Sequence, residues 1–254
     1  MAVYAMTGGA TGIGAALREG LVAAGHQVIS VDIKQGDIIA DLSTPEGRQA
    51  AIDGVRALAP DGLDGFIPCA GLPPVANPLS LIPKVNYFAV VATVEGLRDL
   101  IAKKRGSVLL VGSNSAPMVP EDDEYIQACL AGDEALACAN IEARDGHTAY
   151  AGSKRAITMW MRRNIVDYAR SGVRMNAVAP GITLTPLSEQ VMADPALGQA
   201  MKDFAESVPW GGTAQPGQIA DVMQFMLSDA ADFVCGSVFF VDGGSDAMIR
   251  PDSF

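Results

Sequence analysis

The sequence predicts an α/β fold in which one doubly wound parallel sheet carries helices on both faces. Short apolar runs alternate with segments of helical spacing along most of the 254 residues, an order typical of parallel strands joined by crossover helices. A glycine-rich turn follows the first apolar run, at a position where such sheets bind ligands. Because no linker rich in proline, glycine or serine divides the chain, we expect a single domain over residues 1–254.

Seven apolar runs are predicted as the strands of this sheet. In chain order they are "AVYAMTG", "HQVISVD", "DIIAD", "LDGFIPCAG", "GSVLLVGS", "VRMNAVAPG" and "SVFFVDGG". Short apolar runs bounded by turn residues are typical of strands that are buried on both faces. The runs therefore account for one sheet of about seven strands.

The segments between these runs predict helices. The first is "GIGAALREGLVAAG", whose apolar residues recur at helical spacing and which closes at Gly25. The second begins near Pro45, because proline lacks an N–H group and the first helical position does not need one. Longer helices are expected over residues 84–104 and 148–170.

The glycine turn "TGGATGIG" covers residues 7–14, between the first strand and the first helix. At this place a glycine turn binds phosphate, because glycine lets the backbone approach a pyrophosphate and the helix N-terminus supplies free N–H groups. The residues expected to contact a dinucleotide here are Gly8, Thr11, Gly12, Ile13 and Gly14. The alternative is a tight turn that binds no ligand.

Acidic residues follow the second and third predicted strands. Asp32 comes about 20 residues after the glycines, where a carboxylate can accept hydrogen bonds from ribose hydroxyls and repels a 2′-phosphate. NAD is therefore favoured over NADP, with a solvated acid as the alternative for Asp32. From their position after the third strand, Asp41 and Leu42 are expected to bracket the adenine.

The stretch "YAGSK" places Tyr150 and Lys154 one helical turn apart, so both side chains share one helix face. The ammonium of Lys154 favours the phenolate and is expected to lower the pKa of Tyr150 from its ordinary value of about 10. Tyr150 then serves as a general base for an alcohol or as a general acid for a ketone.

Two further polar residues are candidates for the same site. Ser113 ends a buried strand at the carboxyl edge of the sheet, where its hydroxyl can hydrogen-bond a substrate oxygen, and Ser115 is the alternative. Asn86 lies inside a predicted helix, where an amide side chain is unfavourable without a specific role. We expect it to position Lys154 directly or through water, and a buried cap or kink is the alternative.

Together these motifs resemble the short-chain dehydrogenase/reductase family from one end of the chain to the other. "TGGATGIG" matches the family's TGxxxGIG turn, "YAGSK" its YxxxK, and "NAVAPG" and "VDGG" two later motifs. The resemblance implies a Rossmann-type fold and a catalytic tetrad of Asn86, Ser113, Tyr150 and Lys154. It also implies that Tyr150 and Lys154 contact the cofactor, with Lys154 holding the nicotinamide ribose.

The resemblance further implies contacts at the nicotinamide end of the cofactor. These fall on Pro180, Gly181, Thr183 and Thr185, of which the two threonines would contact the carboxamide.

The usual NNAG of the family is "PCAG" in this chain, which removes the polar contacts of the asparagines. We expect the backbone of Ala70 and Gly71 to line the cofactor nevertheless, and Cys69 to be a packed strand residue and not a nucleophile.

A second departure is an insertion. Ser113 and Tyr150 lie 37 positions apart, whereas the family separates its serine and tyrosine by little more than a dozen residues. The extra segment, at about residues 117–146, is acidic and predicts a short helix. Three roles are open: a cover over the active-site mouth, a mask over the helix face through which many family members form tetramers, or a passive solvated excursion.

With this insertion, "DIIADLSTPEGR", "VNYFA" and the ending "DGGSDAMIRPDSF" resemble the bacterial 3α-hydroxysteroid dehydrogenase/carbonyl reductase branch of the family. The branch implies NAD-linked interconversion of a secondary alcohol and a ketone on a bulky apolar skeleton. The alternatives are a dehydrogenase of aryl or terpene secondary alcohols and, from another class, an NAD-binding regulatory protein without turnover.

A substrate loop is expected over residues 186–215. Its predicted apolar wall consists of Met192, Leu197, Met201, Phe204, Val208 and Trp210, with Leu72, Pro73, Pro117 and Met118 on the opposite side. The alternative is that the loop residues simply pack on the sheet. Since no charged residue is placed to hold a carboxylate or phosphate, we expect a neutral substrate.

The composition limits the partners. A net charge of -11 disfavours nucleic acid, and four cysteines without CxxC spacing, with two histidines, disfavour a metal site or a disulfide framework. We expect no signal peptide and no membrane span, and hence a cytoplasmic protein. The family generally assembles, so a homodimer or homotetramer is expected, for which the apolar ending "SVFFVDGG" is a candidate contact.

Overall fold

The computed structural model describes residues 1–253 and places seven strands of this range in one sheet, with every neighbouring pair parallel. The strands are β1 Val3–Thr7, β2 Gln27–Asp32, β3 Ile38–Ile39, β4 Gly65–Pro68, β5 Ser107–Val111, β6 Arg174–Pro180 and β7 Val238–Val241. Their order across the sheet is β3-β2-β1-β4-β5-β6-β7. The predicted doubly wound parallel sheet is therefore confirmed.

Helices connect the strands. They are α1 Gly12–Ala23, α2 Pro45–Leu58, α3 Leu81–Pro83, α4 Ala89–Lys103, α5 Glu124–Leu130, α6 Glu134–Glu142, α7 Gly146–Arg170, α8 Pro186–Ala193, α9 Gly198–Ser207, α10 Pro216–Leu227 and α11 Ser245–Ile249. A π-helical turn, Lys84–Phe88, joins α3 to α4.

Local sequence explains where three of these helices begin or end. Pro45 is in the first turn of α2, and the Thr44 hydroxyl caps that helix by accepting from the amide of Gly47. Beyond the end of α1, Gly25 has a left-handed φ of 83° that favours glycine. Helix α7 begins two residues before the predicted start, because the Asp145 carboxylate caps it by accepting from the amide of Thr148 at 2.8 Å.

Two apolar layers hold the helices to the sheet. One includes Leu97, Ile157 and Trp160 and packs α2, α4 and α7. The other includes Leu17 and Met223 and packs α1 beside α10. Full burial of each such side chain stabilises the fold by about 1.5–3 kcal/mol.

The chain reverses its direction across the sheet between β1 and β4, because β2 and β3 lie on one side of β1 and the later strands on the other. In open parallel sheets, ligands bind in the crevice at the carboxyl ends of the strands at this point. No helix within residues 1–253 is both long enough and apolar enough to cross a membrane.

Candidate active site

A cavity of about 590 Å³ opens at the carboxyl ends of the strands. Every residue predicted to bind a cofactor lies on its wall: Gly8, Thr11, Gly12, Ile13, Gly14, Asp32, Asp41, Leu42, Ala70, Gly71, Tyr150, Lys154, Pro180, Gly181, Thr183 and Thr185. Ser113 also lines the cavity, together with its alternative Ser115. Asn86 lies behind the wall.

The glycines of the first turn allow close contacts between backbone segments. A Cβ on Gly8, whose φ is 72°, would lie 2.6 Å from the backbone nitrogen and Cα of Ala70. A Cβ on Gly14 would lie 2.0 Å from the carbonyl oxygen of Gly8. These positions therefore exclude any side chain, whether or not a ligand is bound.

The start of α1 has the character of an anion site. Its N-cap residue, Thr11, makes no side-chain hydrogen bond to the helix, and the first amides of a helix have no partner within it. Gly12, Ile13 and Gly14 carry such amides at the cavity wall. The helix dipole adds partial positive charge at the same place.

Two acidic residues that follow β2 and β3 line the cavity. Asp32 ends β2, and its carboxylate accepts from the amide of Lys34 at 3.2 Å. The Asp41 carboxylate accepts from the amide and the hydroxyl of Ser43 at 2.9 and 2.7 Å, and these hydrogen bonds lower its pKa. The side chain of Asp41 thus fixes its own turn, and the segment from Asp41 to Leu42 faces the cavity.

Ser113 and Tyr150 come together in the structure. The Ser113 hydroxyl lies close enough to the phenol of Tyr150 to lower the pKa of that phenol. It also lies 2.9 Å from the Ser115 hydroxyl and accepts from the Ser115 amide at 3.2 Å. Ser113 is therefore the serine that contacts the tyrosine, and Ser115 holds Ser113 in place.

Lys154 is 6% exposed, and its ammonium donates to the carbonyl oxygen of Val111 at 2.8 Å. Its Nζ lies 5.8 Å from the centre of the Tyr150 ring. Burial lowers the pKa of Lys154 to about 8, although nearby Cys69 acts in the opposite direction.

The expected lowering of the Tyr150 pKa is wrong for this structure. Burial raises the pKa of Tyr150, and the nearby Ser113 hydroxyl offsets that increase only in part. Removal of the phenolate from water is the largest cause, and the nearby Cys69 acts in the same direction. Tyr150 is accordingly a protonated phenol at neutral pH.

Asn86 lies in the π-helical turn and not in the regular helix predicted there. Its Oδ1 accepts from the amide of Leu72 at 2.8 Å, while its Nδ2 donates to the carbonyl of Leu72 at 3.1 Å and to the Ser153 hydroxyl at 3.3 Å. A Cβ on Gly71 would lie 3.5 Å from Oδ1 of Asn86 and 3.8 Å from Nζ of Lys154. Asn86 and Lys154 therefore both border the space beside Gly71, and no direct hydrogen bond joins them among the described residues.

Asn176 of "NAVAPG" and Thr185 after it have structural functions that were not predicted from the sequence. Asn176 donates to the carbonyl of Val234 at 2.7 Å and accepts from the amide of Ser237 at 3.0 Å, which ties β6 to the segment before β7. Thr185 forms a capping box with Ser188 at the start of α8. Thr185 therefore joins the cofactor side of the cavity to the predicted substrate loop.

The apolar wall is only partly as predicted. Leu197, Met201 and Phe204 line the cavity, as do Leu72 and Met118 on the other side.

Five other predictions for this wall are wrong: Met192, Val208, Trp210, Pro73 and Pro117 do not line the cavity. Helical spacing does not show whether a side chain faces the cavity or the solvent. Trp210, for example, is 88% exposed and lies outside the cavity. Leu187, Val191 and Ala200 line it instead, with Pro74, Val85, Asn114 and His147 also on the wall. Their residue types carry no signal that distinguishes a cavity wall from an ordinary core or surface.

The insertion forms two helices, α5 and α6, where one was predicted. Neither helix contributes a residue to the cavity wall. Tyr125 of α5 is completely buried, and its hydroxyl donates to the carbonyl of Ala149 in α7 at 3.1 Å. A Cβ on Gly152 would lie 2.8 Å from the Tyr125 ring. Helix α5 thus packs against α7, while Met118, earlier in the insertion, lines the cavity. The three roles named for the insertion stay predictions.

The chain is thus a doubly wound α/β protein of the dinucleotide-binding class, with a serine, a tyrosine and a lysine beside the cavity that its glycine turn borders. Residues 8–246 match the family model described as enoyl-(acyl carrier protein) reductase. A 3-alpha-hydroxysteroid dehydrogenase/carbonyl reductase of Comamonas testosteroni is 40% identical over 259 residues, which cover 100% of both chains. The chain belongs to the short-chain dehydrogenase/reductase family.

Two more relatives widen the comparison. The crystal structure of the 3-alpha-hydroxysteroid dehydrogenase from Pseudomonas sp. B-0831 complexed with NADH superposes with a TM-score of 0.96 at 44% identity, covering 99% of this chain and 100% of that one. A 2,5-dichloro-2,5-cyclohexadiene-1,4-diol dehydrogenase of Sphingobium indicum is 28% identical over 96% of each chain.

Proposed function

We propose that the chain catalyses the NAD-dependent interconversion of a secondary alcohol and a ketone on a bulky apolar substrate. The observation that carries this proposal is the meeting of Ser113, Tyr150 and Lys154 at the cavity that the glycine turn borders. The names of the two hydroxysteroid dehydrogenase relatives support the same reaction.

The residues present fit a dinucleotide. The amides at the start of α1 suit the pyrophosphate, Gly8 and Gly14 keep the turn free of side chains, and Asp32 suits the adenosine ribose. Asp41 and Leu42 are assigned to the adenine, and Ala70 and Gly71 to the wall between the two ends. Tyr150, Lys154, Pro180, Gly181, Thr183 and Thr185 are assigned to the nicotinamide end. A nicotinamide dinucleotide held by these residues would supply the hydride acceptor for the alcohol and the hydride donor for the ketone.

The protein's own residues handle the proton. In the oxidation direction, Tyr150 removes the hydroxyl proton while the Ser113 hydroxyl hydrogen-bonds the substrate oxygen. In reduction, the phenol of Tyr150 donates the proton to the forming alkoxide. Lys154 supports the phenolate by its charge, and Asn86 faces Lys154 across the Gly71 gap, where a water can relay the proton.

The substrate side of the cavity suits an apolar molecule. The wall residues of α8 and α9, with Leu197 just before α9, are apolar except for one serine: Pro186, Leu187, Ser188, Val191, Leu197, Ala200, Met201 and Phe204. Since none of them is charged, binding depends on apolar contact and on the oxygen held by Ser113 and Tyr150. A steroid 3-ketone is the proposed substrate, and an aryl alkyl or terpene ketone is the alternative.

A comparison of ketones tests the proposal. NADH oxidation is followed by absorbance with a steroid 3-ketone and an aryl alkyl ketone in parallel, with NADPH as the control. Turnover of the steroid with NADH but not NADPH is the expected result. Turnover of the aryl ketone alone would change the substrate assignment and keep the mechanism. Binding of NADH without turnover of either ketone would favour the regulatory alternative.

We also propose that the protein is a cytoplasmic homodimer or homotetramer. Its four cysteines are free thiols, as is usual in a reducing compartment. Phe225 and Phe233 are 47% and 103% exposed on the segment that leads into β7, and such side chains suit burial between subunits. The partners are thus the substrate, the cofactor and further copies of the chain. Sedimentation as a monomer would contradict the assembly.

A further inference from the structure

One buried charge near the cavity has no part in the chemistry described so far. Arg48, in the first turn of α2, is 7% exposed. A guanidinium that is removed from water must have its N–H groups hydrogen-bonded, because an unpaired buried charge is costly. The partners of Arg48 therefore show which parts of the fold it holds together.

Two of these partners are backbone carbonyls at the cavity. The Nε of Arg48 donates to the carbonyl of Leu42 at 2.9 Å, and Nη2 donates to the carbonyl of Lys84 at 3.0 Å. Leu42 lines the cavity after β3, and Val85, the neighbour of Lys84, lines it from the π-helical turn. One guanidinium thus links two separate segments of the same wall.

The third partner comes from the insertion. Glu134, the first residue of α6, accepts from Nη1 of Arg48 at 2.6 Å with one carboxylate oxygen and from Nη2 at 3.0 Å with the other. This two-point geometry fixes the plane of the guanidinium. The two side chains are 8% and 29% exposed, so solvent screens the pair only in part.

We propose that Arg48 is a positioning residue for the cofactor, and that the insertion acts on cofactor binding through Glu134. Held by Glu134, Arg48 fixes the separation between Leu42 and Val85, and these two residues form the sides of the adenine pocket. The inference depends on the proposed binding of NAD. It gives the insertion a function at the cavity although α5 and α6 contribute no residue to the cavity wall.

Binding of ADP-ribose, which carries the adenosine and pyrophosphate without the nicotinamide, tests the proposal by calorimetry. We expect Arg48→Lys to weaken ADP-ribose about tenfold, because a lysine cannot replace hydrogen bonds in three directions. Glu134→Gln, which keeps the shape and removes the charge, is expected to weaken it about threefold to fivefold. With a ketone substrate, KM for NADH rises by similar factors, and kcat at saturating NADH stays within about twofold.

Glu121→Gln is the matched control. Glu121 forms an ion pair with Arg155 of α7 at 2.6 Å, so it also ties the insertion to the body of the protein, and neither residue lines the cavity. Its removal is expected to leave the affinity for ADP-ribose unchanged.

The outcomes separate the inference from the function on which it depends. Unchanged affinity in Glu134→Gln and Arg48→Lys, with or without a lower melting temperature, would overturn the positioning role, because the contacts would then be structural only. If Arg48→Lys does not fold, Glu134→Gln decides the question alone. If the unmodified protein bound neither ADP-ribose nor NADH, the proposed function would be refuted instead.

Discussion

The two halves of the cavity are built from different parts of the chain. The half that borders β1, β2 and β4 consists largely of backbone, with Gly8 and Gly14 at contacts that admit no side chain. The other half consists of apolar side chains on α8 and α9, such as Met201. Where two backbone segments lie this close, only glycine fits, so the sequence pattern of glycines predicts this half of the cavity. An apolar wall cannot be predicted in this way, because the same residue types fill any core.

The largest effect on activity is expected from a substitution of Tyr150, which lies where the two halves of the cavity meet. We expect Tyr150→Phe to lower kcat for ketone reduction about a hundredfold to ten-thousandfold, since the proton donor is lost. The affinity for NADH, measured by fluorescence, should stay nearly unchanged because the glycine turn is intact. Full activity of this variant would refute the role of Tyr150 as the proton donor.

The pH dependence of the two directions sharpens the assignment of Tyr150. Burial raises the pKa of its phenol, so the phenolate that alcohol oxidation needs is scarce at pH 7 and increases about tenfold for each pH unit. Initial rates of oxidation should therefore rise from pH 7 to 10, while ketone reduction stays level near neutrality. An oxidation rate that is flat over this range would contradict a raised pKa for the base.

Substitutions at two glycines with positive φ test whether NADH binding depends on the close contact between backbone segments at the glycine turn. Gly8→Ala places a methyl group 2.6 Å from the backbone of Ala70, and we expect the affinity for NADH to fall about tenfold or more. Gly25→Ala is the control, because Gly25 has a φ of 83° and no atom within 4 Å of the new methyl group.

The Gly25 variant should lose only about 1–2 kcal/mol of stability in thermal unfolding and bind NADH normally. Equal losses of affinity in both glycine variants would indicate that backbone strain, and not contact, limits the turn.

The smallest effect is expected in the apolar half. Met201→Ala should raise KM for a bulky ketone about threefold to tenfold, because part of the apolar contact is lost, and leave NADH affinity unchanged. Trp210→Ala is the matched control, since Trp210 is 88% exposed and lies outside the cavity. If the Trp210 variant alone raised KM, Trp210 and not Met201 would be the residue that contacts the substrate.

Much of the fold could be predicted because its signals are local. Each strand is a short apolar run, Pro45 and Gly25 mark helix ends, and "YAGSK" shows its helical spacing directly. The contacts of Arg48 could not be predicted, because its partner Glu134 lies 86 residues away and no pattern joins the two positions. The pKa of Tyr150 was misjudged for a related reason: burial is a property of the whole packed structure, and spacing along one helix does not report it.

The contact between Tyr125 and α7 also determines whether the protection of this face of α7 depends on protein concentration. A helix face covered by another subunit is protected only while the subunits associate, so its stability depends on protein concentration. Here the cover comes from the same chain, with Tyr125 against Gly152 only 27 positions further along. Because an intramolecular contact has no mass-action term, that face of α7 should remain protected at any concentration.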